Sequence, residues 1–252
     1  MRDDQHWSFE KWINRWRWHR RRRIVSEWPD WLAGRAGQAR DARLARYFAA
    51  GTLDPQTPIG EAPLVALDIE TTGLDPAHHS IVSIGVQPFT LTRIPVAQSH
   101  YRVIAPRRPL SDRSVIYHRL THSALENAPP FESVLDELLE RLAGRLVVVH
   151  YTRIERAFLD AAVRHALGEP LLFPVIDTMA IEAHLHRRPL WYQRLRGRRA
   201  LSLRLHPSRA RYHLPSYQAH HALTDALATA ELLQAQIACH YDPGVPVGQL
   251  WE

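Results

Sequence analysis

Val65–Pro76 reads V-A-L-D-I-E-T-T-G-L-D-P. An apolar run carries Asp68 and Glu70, two carboxylates separated by a single residue. Side chains two apart on a strand point to the same face. The strand is apolar enough to be buried, so both acids project from one side of a buried element. Two unpaired carboxylates there repel one another and lose hydration, which costs several kcal/mol. A divalent cation removes that cost, so the segment reads as half of a metal site at the end of a core strand.

Outward from this stretch the pattern is mixed α/β. Leu64–Ile69 reads as a strand, Thr71–Pro76 as a turn punctuated by Gly73 and Pro76, and Ile81–Phe89 and Tyr101–Ala105 as neighbouring strands. Phe131–Ala143 has the spacing of an amphipathic helix, with Gly144 as its cap. Leu146–Val149 is a short, wholly apolar strand. Helices are expected over Glu155–Leu167, stopped by Gly168, over Thr178–Leu185 and over Ala222–His240, with a strand at Phe173–Ile176. Strands followed by alternating strand and helix indicate a central mixed sheet flanked by helices. Ahead of this lie residues 1–51, a basic Trp- and Arg-rich helical extension, and 52–63, a Pro-containing linker. Residues 64–240 form the main domain, and 241–252 a short tail. Within the extension, Phe9, Trp12, Ile13 and Trp16 make an apolar helical stripe suited to packing on the protein or on a partner protein.

Composition narrows the partners. The single cysteine, Cys239, excludes an internal disulfide and points to a reducing, cytoplasmic setting. There is no apolar run of membrane-spanning length. The net charge is +6, yet residues 183–224 hold nine arginines and no Asp or Glu. That local excess suits a polyanion such as nucleic acid, although a solvated basic loop has the same composition.

Further chemistry-bearing residues stand at element ends. His220–Ala226 reads H-H-A-L-T-D-A and puts Asp225 in the first turn of the last helix. A carboxylate there complements the helix dipole, and beside a metal it is also a ligand. His220, five residues earlier, is a candidate general base because imidazole titrates near neutrality. In Val147–Asp160, V-V-V-H-Y-T-R-I-E-R-A-F-L-D, Glu155 falls in a first helical turn. Asp160 is rotated from it by about 140° and cannot replace it on that face. Asp177 reads mainly as an N-cap.

Together, D-I-E-T-T-G-L, H-x-x-x-I-E-x-x-F-L and H-x-A-L-x-D-A resemble the three motifs of the DEDDh (DnaQ-like) 3′–5′ exonucleases, from about Leu64 to His240. H-R-L-T at His118–Thr121 and A-P-P-F at Ala128–Phe131 resemble the segment between the first two motifs. The resemblance implies a ribonuclease H-like fold. It also implies two divalent metal ions, Mg²⁺ or Mn²⁺, held by Asp68, Glu70, Glu155 and Asp225, with His220 as the base. Thr71, Leu74 and His118 are placed near the terminal nucleotide. One position departs from the pattern: Glu155 stands where the family has Asp, which keeps the charge and adds a methylene.

The activity so implied is release of nucleoside 5′-monophosphates from single-stranded or frayed 3′ ends, DNA favoured over RNA. Arg187–Arg211, with Trp191 and Tyr192, is available to track the strand. The alternatives are an exoribonuclease of oligoribonuclease type, a nucleic-acid-binding module with a weakened site, and a polymerase-associated proofreading subunit docked through the N-terminal helix.

Overall fold

The structure, a computed structural model, describes residues 27–107, 125, 127–186 and 201–252. Residues 1–23, where a Trp-striped helix is expected, and His118, Trp191 and Tyr192 lie outside them. Two short helices, α1 (Trp28–Ala36) and α2 (Ala42–Ala49), precede the strand β1 (Leu64–Thr71). Then follow β2 (Ile81–Phe89), β3 (His100–Val103), α3 (Phe131–Leu142), β4 (Leu146–Val149), α4 (Thr152–Leu167), β5 (Val175–Asp177), α5 (Thr178–Leu185), α6 (Leu205–Arg211) and α7 (Ala222–His240). The strands form one five-stranded sheet in the order β3-β2-β1-β4-β5. β2 runs antiparallel to β1 and β3, whereas β4 and β5 run parallel to β1. This is the mixed, helix-flanked sheet expected from the sequence, with the ribonuclease H-like arrangement.

β1 is central and has a core on each face. Its odd-numbered residues Val65, Leu67 and Ile69 pack with α3 and α4 and with Leu44 and Phe48 of α2. Its even-numbered residues Leu64 and Ala66 pack with Ala226, Ala230, Leu233 and Ile237 of α7. The period of two therefore assigns Asp68 and Glu70 to the α7 face. Because β1, β4 and β5 are parallel, their carboxyl ends share one edge of the sheet, where open α/β sheets place their sites.

Several element ends differ from the sequence reading, each for a local reason. α4 begins at Thr152, three residues ahead of expectation, and no residue next to it in sequence caps it: Tyr151 stands there at φ 106°. The cap comes from β5. Asp177 Oδ1 accepts from the Tyr151, Met179 and Ala180 amides, and Oδ2 accepts from the Thr152 amide and hydroxyl. One buried carboxylate thus caps both α4 and α5. β5 begins at Val175, after Pro174, which has no amide to lend a ladder. β3 ends at Val103. α1, unread in the sequence, starts with Pro29 in its first turn. α6 is a helix where the composition suggests a basic loop.

The stretches either side of the domain are tied into it. Ile59 and Gly60 amides donate to the Val245 and Pro243 carbonyls, and the Val247 amide donates to Thr57. Val175 and Glu252 exchange both backbone hydrogen bonds, and Trp251 is buried. The Arg156 guanidinium lies over Trp28 and donates to the Phe173 and Glu252 carbonyls, joining α1, α4 and the tail.

Gly85 settles how closely α7 approaches the sheet. Cross-strand pairing aligns Asp68, Gly85 and Tyr101 in one row on one face. A Cβ at Gly85 would collide with the Ala222 carbonyl group and the Leu223 amide. The missing side chain admits the first turn of α7 between Asp68 and Tyr101. Gly85→Ala is therefore expected to destabilise the fold by about 1–3 kcal/mol through overpacking and to weaken divalent-cation binding as α7 is pushed away. Urea unfolding and manganese titration check both, and a variant matching wild type in both would refute this packing account.

Candidate functional site

The site is built from β1, the start of α4 and the start of α7. Asp68, Glu70 and Asp225 bring one carboxylate oxygen each to within 4.8 Å of one another. Glu70 and Asp225 are buried and Asp68 half-buried. The ladder register shifts between Glu70 and Thr71, an irregularity of the kind that re-aims side chains beside sites.

Glu155 is only 4% exposed, and its Oε2 is buried without a hydrogen-bond partner. It stands outside the 4.8 Å cluster but near enough that its charge acts on Asp68. Asp160, as expected, does not share this site. It pairs with Arg164 and accepts the Leu171 amide.

The electrostatics follow from this crowding. Burial first, then the Asp225, Glu155 and Glu70 charges, push the Asp68 carboxyl well above the usual carboxylate range. Burial and the neighbouring Asp177 do the same to Glu155, against the pull of its own backbone hydrogen bond. Burial raises Asp225 too, opposed by the His220 amide and by the imidazole of His206. Asp225 Oδ1 is buried and accepts no hydrogen bond. A cluster that repels itself and keeps carboxylate oxygens unpartnered in a buried place has the donor set of a hard divalent cation.

The two adjacent histidines divide their roles. His221 caps α7, its Nδ1 accepting from the Thr224 amide at 3.4 Å, and its ring stacks on Tyr101 with centroids 4.5 Å apart. His220 sits at φ 66°, and its amide donates to Asp225 Oδ2 at 3.0 Å. A left-handed backbone at a residue other than glycine costs about 1–3 kcal/mol and is typical of functional positions. Its side chain is exposed.

In the β1–β2 turn, Thr71 is buried and its hydroxyl donates to the Gly73 carbonyl at 2.6 Å, while Leu74 is 79% exposed.

Two features escape the sequence reading. His206, on α6, puts Nε2 3.6 Å from Asp225 Oδ1; nothing in its spacing links it to the other motifs. The arginines of α6 are also not free to track a strand. Arg209 is buried, donating to the Ala228 and Pro215 carbonyls and to Glu231, and Arg211 is paired with buried Glu182.

The profile of the RNase T exonuclease family matches residues 65–233. The chain belongs to that family. Within that family it is of the DEDDh kind, with Glu155 at the departing position, and the family is divalent-metal dependent. A DNA polymerase III of PolC type from Thermotoga maritima is 32% identical over 133 residues, 53% of this chain and 10% of the relative. One from Streptococcus thermophilus is 29% identical over 173 residues, 69% of this chain and 11% of the relative. The chain thus spans about a tenth of the length of these curated relatives.

Among solved structures, cell-death related nuclease 4 aligns with a TM-score of 0.59 at 19% identity, over 73% of this chain and 65% of the other. Exonuclease X in complex with 5′ overhanging duplex DNA aligns at 0.55 and 19%, over 74% and 98%. The nuclease domain of 3′hExo bound to rAMP aligns at 0.57 and 15%, over 71% and 92%. At these identities they share the fold. No helix among the described residues is long and apolar enough to cross a membrane.

The raised carboxylates give a signed pH dependence. A carboxyl whose pKa is higher folded than unfolded holds its proton more tightly in the folded chain. In the metal-free protein the contribution of these carboxyls to stability is therefore fully present below the unfolded value, about 4, and is lost as pH rises through the folded values. A divalent cation takes the deprotonated cluster, so its stabilisation grows over the same interval. Manganese is expected to raise the melting temperature more near pH 8 than near pH 5.5, relative to chelator. Asp68→Asn is expected to raise the melting temperature in chelator near pH 8 and to abolish the manganese increment. Equal increments at both pH values would contradict the arrangement.

Proposed function

We propose that this protein is a 3′–5′ exonuclease that releases nucleoside 5′-monophosphates from single-stranded or frayed DNA ends. The observation that carries the proposal is the Asp68–Glu70–Asp225 cluster with His220 held at its rim by Asp225. Family membership supports hydrolysis of nucleic acid. DNA is favoured because the sequence relatives are DNA polymerases and matching structures include E. coli exonuclease I with a dT13 oligonucleotide.

Asp68, Glu70 and Asp225 would hold one divalent ion, Mg²⁺ or Mn²⁺, and Asp68 with Glu155 a second. Bound there, such ions supply Lewis-acid stabilisation of the charge that grows on phosphoryl and leaving oxygens. The chain's own residues do the rest. His220 takes a proton from the water that attacks the terminal phosphodiester, and the bond from phosphorus to the 3′-oxygen of the preceding nucleotide breaks. Leu74 packs on the terminal sugar or base, a contact indifferent to sequence. Thr71 shapes the turn that carries Leu74, and His118 lines the same pocket. The Trp-striped helix of residues 1–23 is a docking element for a partner protein.

RNA is the second reading. Matching structures include a 3′-exonuclease described in 3′-end specific recognition of a histone mRNA stem-loop. The cluster itself does not read the sugar.

A 5′-labelled oligonucleotide with Mg²⁺ or Mn²⁺ is expected to give a ladder shortening from the 3′ end, faster for DNA than for a matched RNA. Asp225→Ala is expected to slow it at least about a hundredfold, the loss seen when one charge-stabilising group is removed. Absence of a wild-type ladder, or an undiminished one from the variant, would sink the reading. Glu155→Asp is expected to raise the Mg²⁺ rate relative to the Mn²⁺ rate, because Mg²⁺ demands the stricter geometry. An unchanged ratio would show that the extra methylene does not matter to metal choice.

A further inference from the structure

Helix α6 is short, yet much buried polar structure is spent on fixing it. Arg209, 1% exposed, donates to Ala228, Pro215 and Glu231 and lies 4.6 Å over the ring of Tyr217. The Tyr217 hydroxyl closes the loop onto Glu231 at 2.8 Å. Arg211 and Tyr212 both donate to buried Glu182, which also accepts from Gln236 of α7. Ahead of the helix, His150 Nε2 donates to the Leu203 carbonyl at 2.9 Å.

What this scaffold presents to the site is His206. Its Nε2 lies 3.6 Å from Asp225 Oδ1, too far for a hydrogen bond, and its side chain is 35% exposed. His206 is outside the 4.8 Å carboxylate cluster. The other Asp225 oxygen, Oδ2, is taken by the His220 amide. Asp225 is therefore flanked by two histidines, one on each oxygen. With Arg209 and Arg211 committed inward, His206 is an α6 side chain that stands beside the carboxylate cluster.

We propose that His206 contacts substrate: its Nε2 binds a non-bridging oxygen of a phosphodiester in the strand entering the site, beside Asp225. This rests on the exonuclease reading above. A partly exposed imidazole that makes no hydrogen bond to its nearest acceptor, held rigid beside a metal-binding carboxylate, has the reach and chemistry for a phosphate oxygen.

The test is binding of a 5′-fluorescein-labelled single-stranded oligothymidylate by anisotropy, with calcium in place of magnesium, alongside steady-state hydrolysis. His206→Ala is expected to raise Kd and KM about ten- to a hundredfold, the loss of one hydrogen bond to a charged group, with kcat little changed. His206→Gln, which keeps an N–H donor, is expected to recover part of the binding, and it serves if the alanine variant folds poorly. His220→Ala is expected to lose kcat and keep Kd. Unchanged Kd in both His206 variants would overturn the proposal, as would a fall in kcat at unchanged KM, which would make His206 a positioning residue for Asp225. A wild-type protein that yields no 3′ ladder would overturn the exonuclease reading and this proposal with it. A wild-type ladder with unaltered His206→Ala binding would overturn this proposal alone.

Discussion

The repulsion among buried carboxylates on the α7 face of β1 is the constraint to which the other parts of the site answer. Asp68 feels three other acids, and the apolar packing of β1 prevents the strand from rotating its acids into water. Among the described residues, Asp68 and Asp225 are not paired with arginine, although the chain is rich in it. Arginines are instead committed elsewhere: Arg209 on Glu231, Arg211 on Glu182 and Arg156 on backbone carbonyls. Carboxylates left without an arginine partner stay available to an ion from solution, at the expense of stability when none is bound.

Placement of the cluster depends on close approach more than on direct bonds between the acids. Asp68 and Glu70 are set by strand alternation, Asp225 by how α7 docks. Docking is in turn set by a gap at Gly85, by the alanines at 226 and 230, and by the stack of His221 on Tyr101. The helix's own N-cap residue is one member of that stack, so the start of the helix and its seating on β3 are fixed by one side chain.

Much of this is legible in the sequence because it is local. Alternation over Val65–Glu70 predicts which face the acids share, and first-turn positions predict that Glu155 and Asp225 stand at helix starts. The strand Ile81–Phe89 and the final helix Ala222–His240, whose expected and observed bounds agree, follow from periodicity alone. What is not legible depends on residues far apart in the chain. The start of α4 is set by Asp177, which local cap rules for Tyr151 and Thr152 do not reveal. The basic composition of 183–224 suggests free arginines, but burial of Arg209 depends on Glu231 and on two carbonyls of distant segments. His206 belongs to no motif, and only the docking of α6 brings it to Asp225.

The double cap at Asp177 has a consequence for how the molecule comes into being. Helix α4 lacks an adjacent residue to start it, so its first turn, with Glu155, is specified only once β5 has paired with β4. Asp225 arrives later still in the chain, on the last helix. The elements that carry the acids are thus separated by long loops whose closure is entropically slow. A partly folded chain without α4 and α7 in place has Asp68 and Glu70 two residues apart but does not hold the complete cage. The capacity to bind the cation is therefore a property of the finished fold, and it is withheld until the two ends of the domain have met.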